Sequence, residues 1–402
     1  MNSTDNYLPP SLSAEKINAL ILSLSLPPPI SITPLEVTAA FRSIYLVTFP
    51  PSTTKINARP NPDGSISLVL RVSGRQLPRI KTLNEVGVMS WVRANTSIPV
   101  PAIIRYDATE DNPISHEFTL LERAPGISVD KIYDTLSDET KTDMDGYVGG
   151  LTLTTSGQVT HGPPIDETYW QTPDLEKYWS LGTSATPETE ISLETLNPIV
   201  PGGFPNYVAF TVSCLNRYIS AINLHPSLEP YQALVPQIRA FTEGLQRREL
   251  AEQLNQVPYV LAHKDLHFAN IMCDPAQPGC PITAVLDWEF SGVVPAPRWN
   301  PPRAFLYNMK WRAEDKAEQT RMEAVFEEVC REKGAEWLLE EMQWGSRLQE
   351  EVQKVVNHLR AIVEVCPKGQ SGEKVEQWKK TVEEGMRTFP YGYGAGGDTL
   401  QG

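Results

Sequence analysis

The sequences HKDLHFANIMCDP (residues 263–275) and ITAVLDWEFSG (residues 282–292) decide the fold of this chain. The apolar run PYVLAH leads into the first sequence, and the second is apolar up to Asp287. Short apolar runs of this kind predict strands. We therefore expect Asp265 and Asn270 in a short loop after one strand, and Asp287 at the end of another.

The order and spacing of these residues resemble a known family. The pattern H-x-D-x-x-x-x-N starts at His263 and reaches Asp265 and Asn270, and an apolar strand ending in Asp287 follows. This combination resembles the aminoglycoside phosphotransferase family of the kinase-like superfamily, in a form typical of fungal members. The resemblance extends over about residues 36–310 and is strongest around the two quoted sequences.

The resemblance implies transfer of the ATP γ-phosphoryl group to a hydroxyl, or less often an amine, of a small molecule. ATP and Mg²⁺ are the implied cofactors. Asp265 is implied as the catalytic base, and Asn270 and Asp287 as the residues that hold Mg²⁺. The side chains suit this chemistry, because a carboxylate can accept a hydroxyl proton and Mg²⁺ prefers oxygen ligands. The sequence Asp287-Trp288-Glu289 stands where protein kinases have DFG, which is typical of the family.

Three further residues of the loop have less specific expectations. His263 is expected to support the loop through a hydrogen bond, and loop support is favoured over catalysis for His267. A zinc site at this pair is disfavoured, because no H-E-x-x-H helix is present. Lys264 stands where many members of the family have Gly. Its ammonium group either stabilises charge on the transferred group or points to solvent.

The preceding part of the chain predicts a small mixed lobe. Residues 41–49 alternate and are rich in β-branched and aromatic residues, which predicts a strand. Residues 65–73, entered through the turn signal PDG at 62–64, predict another. Residues 81–96 have apolar positions at helical spacing, and residues 96–108 and 116–126 predict two more strands. The order strand, strand, helix, strand, strand suits one small lobe.

The resemblance also implies where this lobe binds nucleotide. A basic residue on the third strand should bind phosphates and pair with a helix glutamate, which indicates Arg71 and Glu85. Arg71 replaces the usual Lys, and the two are not equivalent. The loop over the phosphates is expected at residues 39–45, with Ser43 as a contact, although it lacks a G-x-G-x-x-G pattern. The segment at Glu122 resembles the strand whose backbone binds the adenine edge.

We therefore predict an α+β, two-lobed protein-kinase-like fold, with a small mixed sheet lobe and a larger, mainly helical lobe. Residues 1–35 should form an N-terminal extension with a helix near Ser13–Leu26. Residues 36–123 should be the small nucleotide-binding lobe and residues 124–390 the large catalytic and substrate-binding lobe. Residues 391–402 should be disordered. Helices of the large lobe are expected at about 138–155, 207–223 and 229–254, and around 322–330 and 348–362.

Composition limits the possible partners. The formal net charge of −14 argues against a nucleic-acid partner, which would need clustered Lys and Arg. The acid excess either aids solubility or favours a cationic acceptor. The apolar run at residues 17–26 is too short to span a membrane and lacks the features of a secretory signal. Five widely spaced cysteines without C-x-x-C suggest reduced thiols. The expectation is a cytoplasmic protein with a small-molecule acceptor and no identifiable protein partner.

Two alternatives to an ATP-dependent kinase stay open. The first is a pseudokinase, a binding or scaffold protein without turnover. Arg71 in place of Lys and the phosphate loop without glycine favour it, whereas the intact set of Asp265, Asn270 and Asp287 argues against it. The second is a phosphotransferase that uses GTP. The sequence does not identify the acceptor.

Overall fold

The computed structural model describes residues 8–35, 41–51, 56–128, 151–153, 159–161, 170–171, 174–179, 196–197, 200, 203–298 and 313–389. The chain forms two compact units. The sheet unit comprises residues 1–165, 260–294 and 299–339, and the helical unit comprises residues 166–259, 295–298 and 340–402. The predicted α+β fold class is confirmed. The residues with the quoted motifs group with the sheet, so the units differ from the predicted lobes of 36–123 and 124–390, which stay a prediction.

The sheet unit begins with an antiparallel five-stranded sheet in the order β1-β2-β3-β5-β4. Its elements are α1 (Ala14–Ser23), β1 (Ser31–Pro34), β2 (Arg42–Phe49), β3 (Ile66–Ser73), α2 (Ile80–Asn95), β4 (Ile103–Asp107) and β5 (Phe118–Glu122). The predicted strand and helix order is confirmed, except that β1 was not predicted. Ser13 caps α1 as expected, since its side chain accepts a hydrogen bond from the Lys16 N–H.

The two faces of this sheet pack against different partners, because alternate side chains of a strand point to opposite faces. Leu120 packs in a core with Leu68, Leu70 and residues of α1. Leu121, the next residue along the chain, packs with Val88 and other residues of α2. The sheet is therefore covered by α1 on one face and by α2 on the other.

The quoted motifs and segments next to them or paired with them form short strands. These are β6 (Ile127–Ser128), β9 (Tyr259–Ala262), β10 (Ile271–Cys273), β11 (Ile282–Val285) and β12 (Gly292–Pro295), numbered after β7 (Leu151–Leu153) and β8 (Val159–His161). β10 pairs with β11 on one side and with β6 on the other, and β9 pairs with β12. The predicted strands before Asp265 and before Asp287 are confirmed as β9 and β11.

Most of the remaining elements are helices. They are α3 (Tyr207–Leu224), α4 (Val235–Leu245), α5 (Arg248–Leu254), α6 (Ala313–Glu332), α7 (Glu336–Glu341), α8 (Arg347–Val365) and α9 (Glu373–Thr388). The core of the helical unit includes Leu215, Leu234, Phe241, Leu359 and Val382, each at most 1% exposed. No helix within the described ranges is long and apolar enough to cross a membrane.

Two helix predictions are corrected. The single helix predicted over 229–254 is a 3₁₀ segment, Pro226–Leu234, followed by α4 and α5. Proline lacks an N–H and is best placed in a first turn, so Pro236 starts α4 rather than continuing a longer helix. Of the helix predicted over 138–155, residues Leu151–Leu153 are strand β7, paired with β8. The other residues of that predicted helix lie outside the described residues, as does the tail at 391–402.

Gly126 is required where the chain passes β10. Its φ is +89°, and a Cβ placed on it would collide with the carbonyl oxygen of Cys273. Gly279, on the turn between β10 and β11, has a similar φ of +77° but no atom within 4 Å of such a Cβ. Both glycines have a positive φ, but of the two, only Gly126 also lies in close contact with another part of the backbone, at Cys273.

We predict that Gly126→Ala lowers the free energy of unfolding by about 2–4 kcal/mol, because backbone strain and overpacking add. Gly279→Ala is the matched control and should cost only about 1 kcal/mol, for the positive φ alone. Denaturant unfolding measures both values. Equal losses in the two variants would contradict the close approach at Cys273.

Candidate active site

The loop after β9 brings Asp265 and Asn270 onto one turn. The side-chain amide of Asn270 donates to the Asp265 carbonyl at 2.9 Å and lies 3.5 Å from its Oδ2. His267 caps the 3₁₀ turn Phe268–Asn270, since its Nδ1 accepts from the Ala269 N–H at 3.2 Å. The Asp265 side chain is 37% exposed. The loop therefore holds a carboxylate that is accessible to solvent.

Strand pairing places Asn270 beside the Asp287 turn. Ile271 lies opposite Val285, and the Leu286 N–H donates to the Asn270 carbonyl at 2.7 Å. Asp287 follows with a φ of +64°, a left-handed conformation that Asp adopts more readily than most residues. An amide and a carboxylate are thus presented from adjacent strand ends.

These two residues fit a magnesium site that a nucleotide completes. Mg²⁺ usually takes one or two protein oxygen ligands and fills its other positions with water and phosphate oxygens. Asp287 is 31% exposed at its side chain, so it is accessible to such an ion. In the described part of the chain, no group of three His, Cys, Asp or Glu side chains could hold a metal without further ligands.

His263 ties the loop after β9 to the Asp287 turn, as expected of a supporting residue. Its Nε2 lies 2.7 Å from the Leu286 carbonyl oxygen, which requires an Nε2–H donor. Its ring packs on Trp288 at a centroid distance of 4.6 Å. Burial lowers the pKa of His263 to about 4, so the ring is neutral near pH 7.

The Arg71–Glu85 ion pair that the sequence predicts is present. Glu85 on α2 is fully buried and contacts the Arg71 Nη1 on β3. The Arg71 Nη2 contacts the Asp287 Oδ1 at 2.6 Å. Burial acts to raise the pKa of Asp287, but the guanidinium groups of Arg71 and Arg42 outweigh it and lower that pKa to about 2. The carboxylate is therefore ionised at neutral pH.

Sequence reasoning missed three charged residues of this cluster. Arg42 contacts Glu85 at 2.7 Å and Glu289 at 2.5 Å, and the Lys81 Nζ lies 3.8 Å from the Glu289 Oε2. Arg42 lies inside the predicted phosphate loop, and Glu289 ends the Asp-Trp-Glu motif. The sequence could have indicated Arg42 and Glu289, because each is a charged residue in a segment that was already expected to form the site.

Two predicted site residues are not brought to this cluster. Ser43 pairs with Val72 on the face opposite Arg71, and its hydroxyl donates to the Pro9 carbonyl at 3.3 Å. Glu122 shares the face of Leu120, and its carboxylate accepts from the N–H groups of Arg59 and Ala102. The Glu122 N–H donates to the Ala102 carbonyl. Neither side chain therefore reaches the Arg71 face.

A comparison with protein families matches residues 214–296 to the family described as "Phosphotransferase enzyme family". This segment contains β9 to β12 and the loop with Asp265 and Asn270. The resemblance stated from the motif is confirmed by this match, which covers less than half of the chain.

Similar proteins come from curated sequences and solved structures. "Subtelomeric hrmA-associated cluster protein" from two strains of Aspergillus fumigatus is 23% identical over 261 residues, which is 53% of this chain and 50% of the relative. This chain thus matches half the length of those relatives. The GDP complex of aminoglycoside 2'-phosphotransferase-IIIa is 10% identical with a TM-score of 0.42, covering 93% of this chain and 98% of that one. The gentamicin complex of APH(2")-IIa is 14% identical with a TM-score of 0.41, covering 94% and 97%.

We predict that Lys264→Gly is more stable than Lys264→Ala by about 1 kcal/mol, measured by denaturant unfolding. The φ of Lys264 is +61°, a conformation that glycine adopts without a Cβ penalty. Both variants lack the ammonium group, so any functional role of that charge is lost equally in the two. A Lys264→Gly variant no more stable than Lys264→Ala would contradict the left-handed conformation.

Acid should destabilise the fold through His263. The unfolded histidine takes up a proton near pH 6.5, whereas the folded ring resists protonation until about pH 4. The free energy of unfolding should therefore fall by roughly 3 kcal/mol as the pH drops through this window. His263→Gln keeps an N–H donor for Leu286 and does not titrate, so its unfolding free energy should fall less between these pH values. Parallel pH profiles for the two proteins would contradict the buried neutral ring.

Proposed function

We propose, on the premise of the family match, that this chain is a phosphotransferase that moves the ATP γ-phosphoryl group to a hydroxyl, or an amine, of a small molecule. The observation that carries the proposal is one connected arrangement. Asp265 and Asn270 share a loop, Asp287 lies on the adjacent strand end, and Arg71 contacts both Asp287 and Glu85.

Each residue has a role that its surroundings support. Asp265 is exposed enough to orient an acceptor hydroxyl and accept its proton. Asn270 and Asp287 would hold Mg²⁺, which supplies charge neutralisation on the phosphates when bound. Arg71 would bind phosphate through its guanidinium, with Glu85 fixing its position. Catalysis by such a site rests mainly on positioning and charge stabilisation.

The Arg71–Asp287 contact favours a second candidate, a nucleotide-binding protein without turnover. Arg71 neutralises the carboxylate that Mg²⁺ would need. If that ion pair persists with nucleotide bound, Mg²⁺ should not strengthen nucleotide binding. The dependence of binding on Mg²⁺ therefore separates the two candidates.

A thermal-shift titration with Mg²⁺-ATP tests the proposal, with Mg²⁺-GTP and Mg²⁺ alone as controls. Nucleotide at about 100 times its dissociation constant should stabilise the fold by roughly 2.7 kcal/mol. Asp287→Ala should lose the part of this shift that depends on Mg²⁺. Asp265→Asn is the matched control on the neighbouring loop and should keep the full shift, because Asp265 is not a proposed metal ligand.

Turnover completes this test once an acceptor has been found by screening. Asp265→Asn should lower turnover by about 10²- to 10⁴-fold, the usual contribution of a general base. A shift that is identical with and without Mg²⁺, together with no turnover, would favour the binding protein. The absence of any shift with ATP or GTP would refute the proposed function.

A further inference from the structure

Arg42 is a buried cation that no part of the proposed function uses. It is the first residue of β2, and its side chain is only 2% exposed. The Nη1 donates to the Glu85 Oε2 at 2.7 Å and to the Thr119 hydroxyl at 3.3 Å. The Nε donates to the Glu289 Oε2 at 2.6 Å. One guanidinium therefore joins the sheet, helix α2 and the segment after Asp287.

Its two carboxylate partners belong to the two sides of the candidate site. Glu85 is the residue that holds Arg71. Glu289 lies two positions after Asp287, in the 3₁₀ turn Trp288–Phe290, and is buried. The backbone of this turn is held to α2 as well, because the Asn84 amide donates to the Glu289 and Ser291 carbonyls at 3.1 and 2.9 Å. Arg42 thus links the Arg71 side of the site to the Asp287 side.

We propose that Arg42 is a positioning residue of this site, which clamps Glu85 and Glu289 and thereby fixes Asp287 for metal binding. The role rests on the proposed function and adds a residue to it. Arg42 acts through its two partners and does not itself contact substrate. Residues that orient metal ligands in this way usually change metal affinity by about 10- to 100-fold when they are replaced.

The geometry requires the forked group of arginine. Arg42 donates to Glu85 through Nη1 and to Glu289 through Nε, so two different N–H groups of one planar guanidinium are used at once. A lysine at this position retains the charge but has a single ammonium, which can replace only one of these contacts well. Arg42→Lys therefore tests the clamp with little change in net charge.

The experiment measures the dissociation constant of ATP by calorimetry with Mg²⁺ and with EDTA, on wild type and Arg42→Lys. The dissociation constant in EDTA divided by the constant with Mg²⁺ reports how strongly Mg²⁺ supports nucleotide binding. We expect Arg42→Lys to reduce this ratio by about 10- to 100-fold. Arg93→Lys is the matched control on α2, because the Arg93 Nη1 donates to the Val100 carbonyl at 2.8 Å, outside the cluster. It should keep the wild-type ratio.

Hydrogen exchange of the ligand-free proteins gives a readout that needs no nucleotide. In Arg42→Lys, exchange should rise at residues 286–291 while β3 and β5 stay protected. Glu289→Gln serves as a second variant, should Arg42→Lys fail to fold. It keeps the side-chain shape, weakens the same clamp and should change both readouts in the same direction.

Each other outcome counts against the proposal. Arg42 is not a positioning residue if Arg42→Lys keeps the wild-type ratio and the wild-type exchange at 286–291. The same holds if exchange rises throughout the sheet and the ATP constants with Mg²⁺ and with EDTA change equally, because that pattern shows only a general loss of stability. If wild type binds no nucleotide in either buffer, the proposed function fails and this role fails with it. If wild type binds nucleotide and both variants keep its ratio, only the role of Arg42 is refuted.

Discussion

A buried network of opposite charges is the interaction on which the candidate site depends. Glu85 is shared by Arg42 and Arg71, and from these two arginines the network reaches the Asp287 turn. Its members are three cations, Arg42, Arg71 and Lys81, and three carboxylates, Glu85, Asp287 and Glu289. Removing ions from water is costly, and the removal of one partner from a buried pair typically costs about 3–5 kcal/mol. Such a network therefore favours one relative placement of β2, β3, α2 and the Asp287 turn.

Local pattern was sufficient for the main elements and for the central ion pair. The alternation in 41–49 and the turn signal before 65–73 predicted β2 and β3, and the family resemblance then indicated the pair of Arg71 and Glu85, which the structure contains. Local pattern failed to predict the elements whose bounds are determined by tertiary packing. The broken helix over 229–254 depends on where each proline is accommodated, and β7 is defined by its pairing with β8. Such pairing cannot be read from one segment alone.

Strand register explains the site residues that the sequence assigned differently. Arg42 and Ser43 are neighbours in the predicted phosphate loop, and either could have faced the site. Because alternate residues of a strand point to opposite faces, only one of these two neighbours can face the site. Pairing of Ile44 with Arg71 and of Ser43 with Val72 sends Ser43 toward the N-terminal segment and Arg42 toward Glu85. Residues 42–45 of the predicted phosphate loop belong to strand β2, and its register decides which of them face Glu85.

Charge balance in the network connects the structure to the proposed function. Arg71 shares its guanidinium between Glu85 and Asp287, so the carboxylate proposed for Mg²⁺ already has a cationic partner. A metal ion alone would compete with that partner for Asp287. Nucleotide phosphates would give Arg71 an alternative anionic partner, because guanidinium binds phosphate in the same forked geometry as carboxylate. Under the proposed function, metal and nucleotide should therefore bind together more strongly than either binds alone, and Glu85 would keep Arg71 in place while its other partner changes.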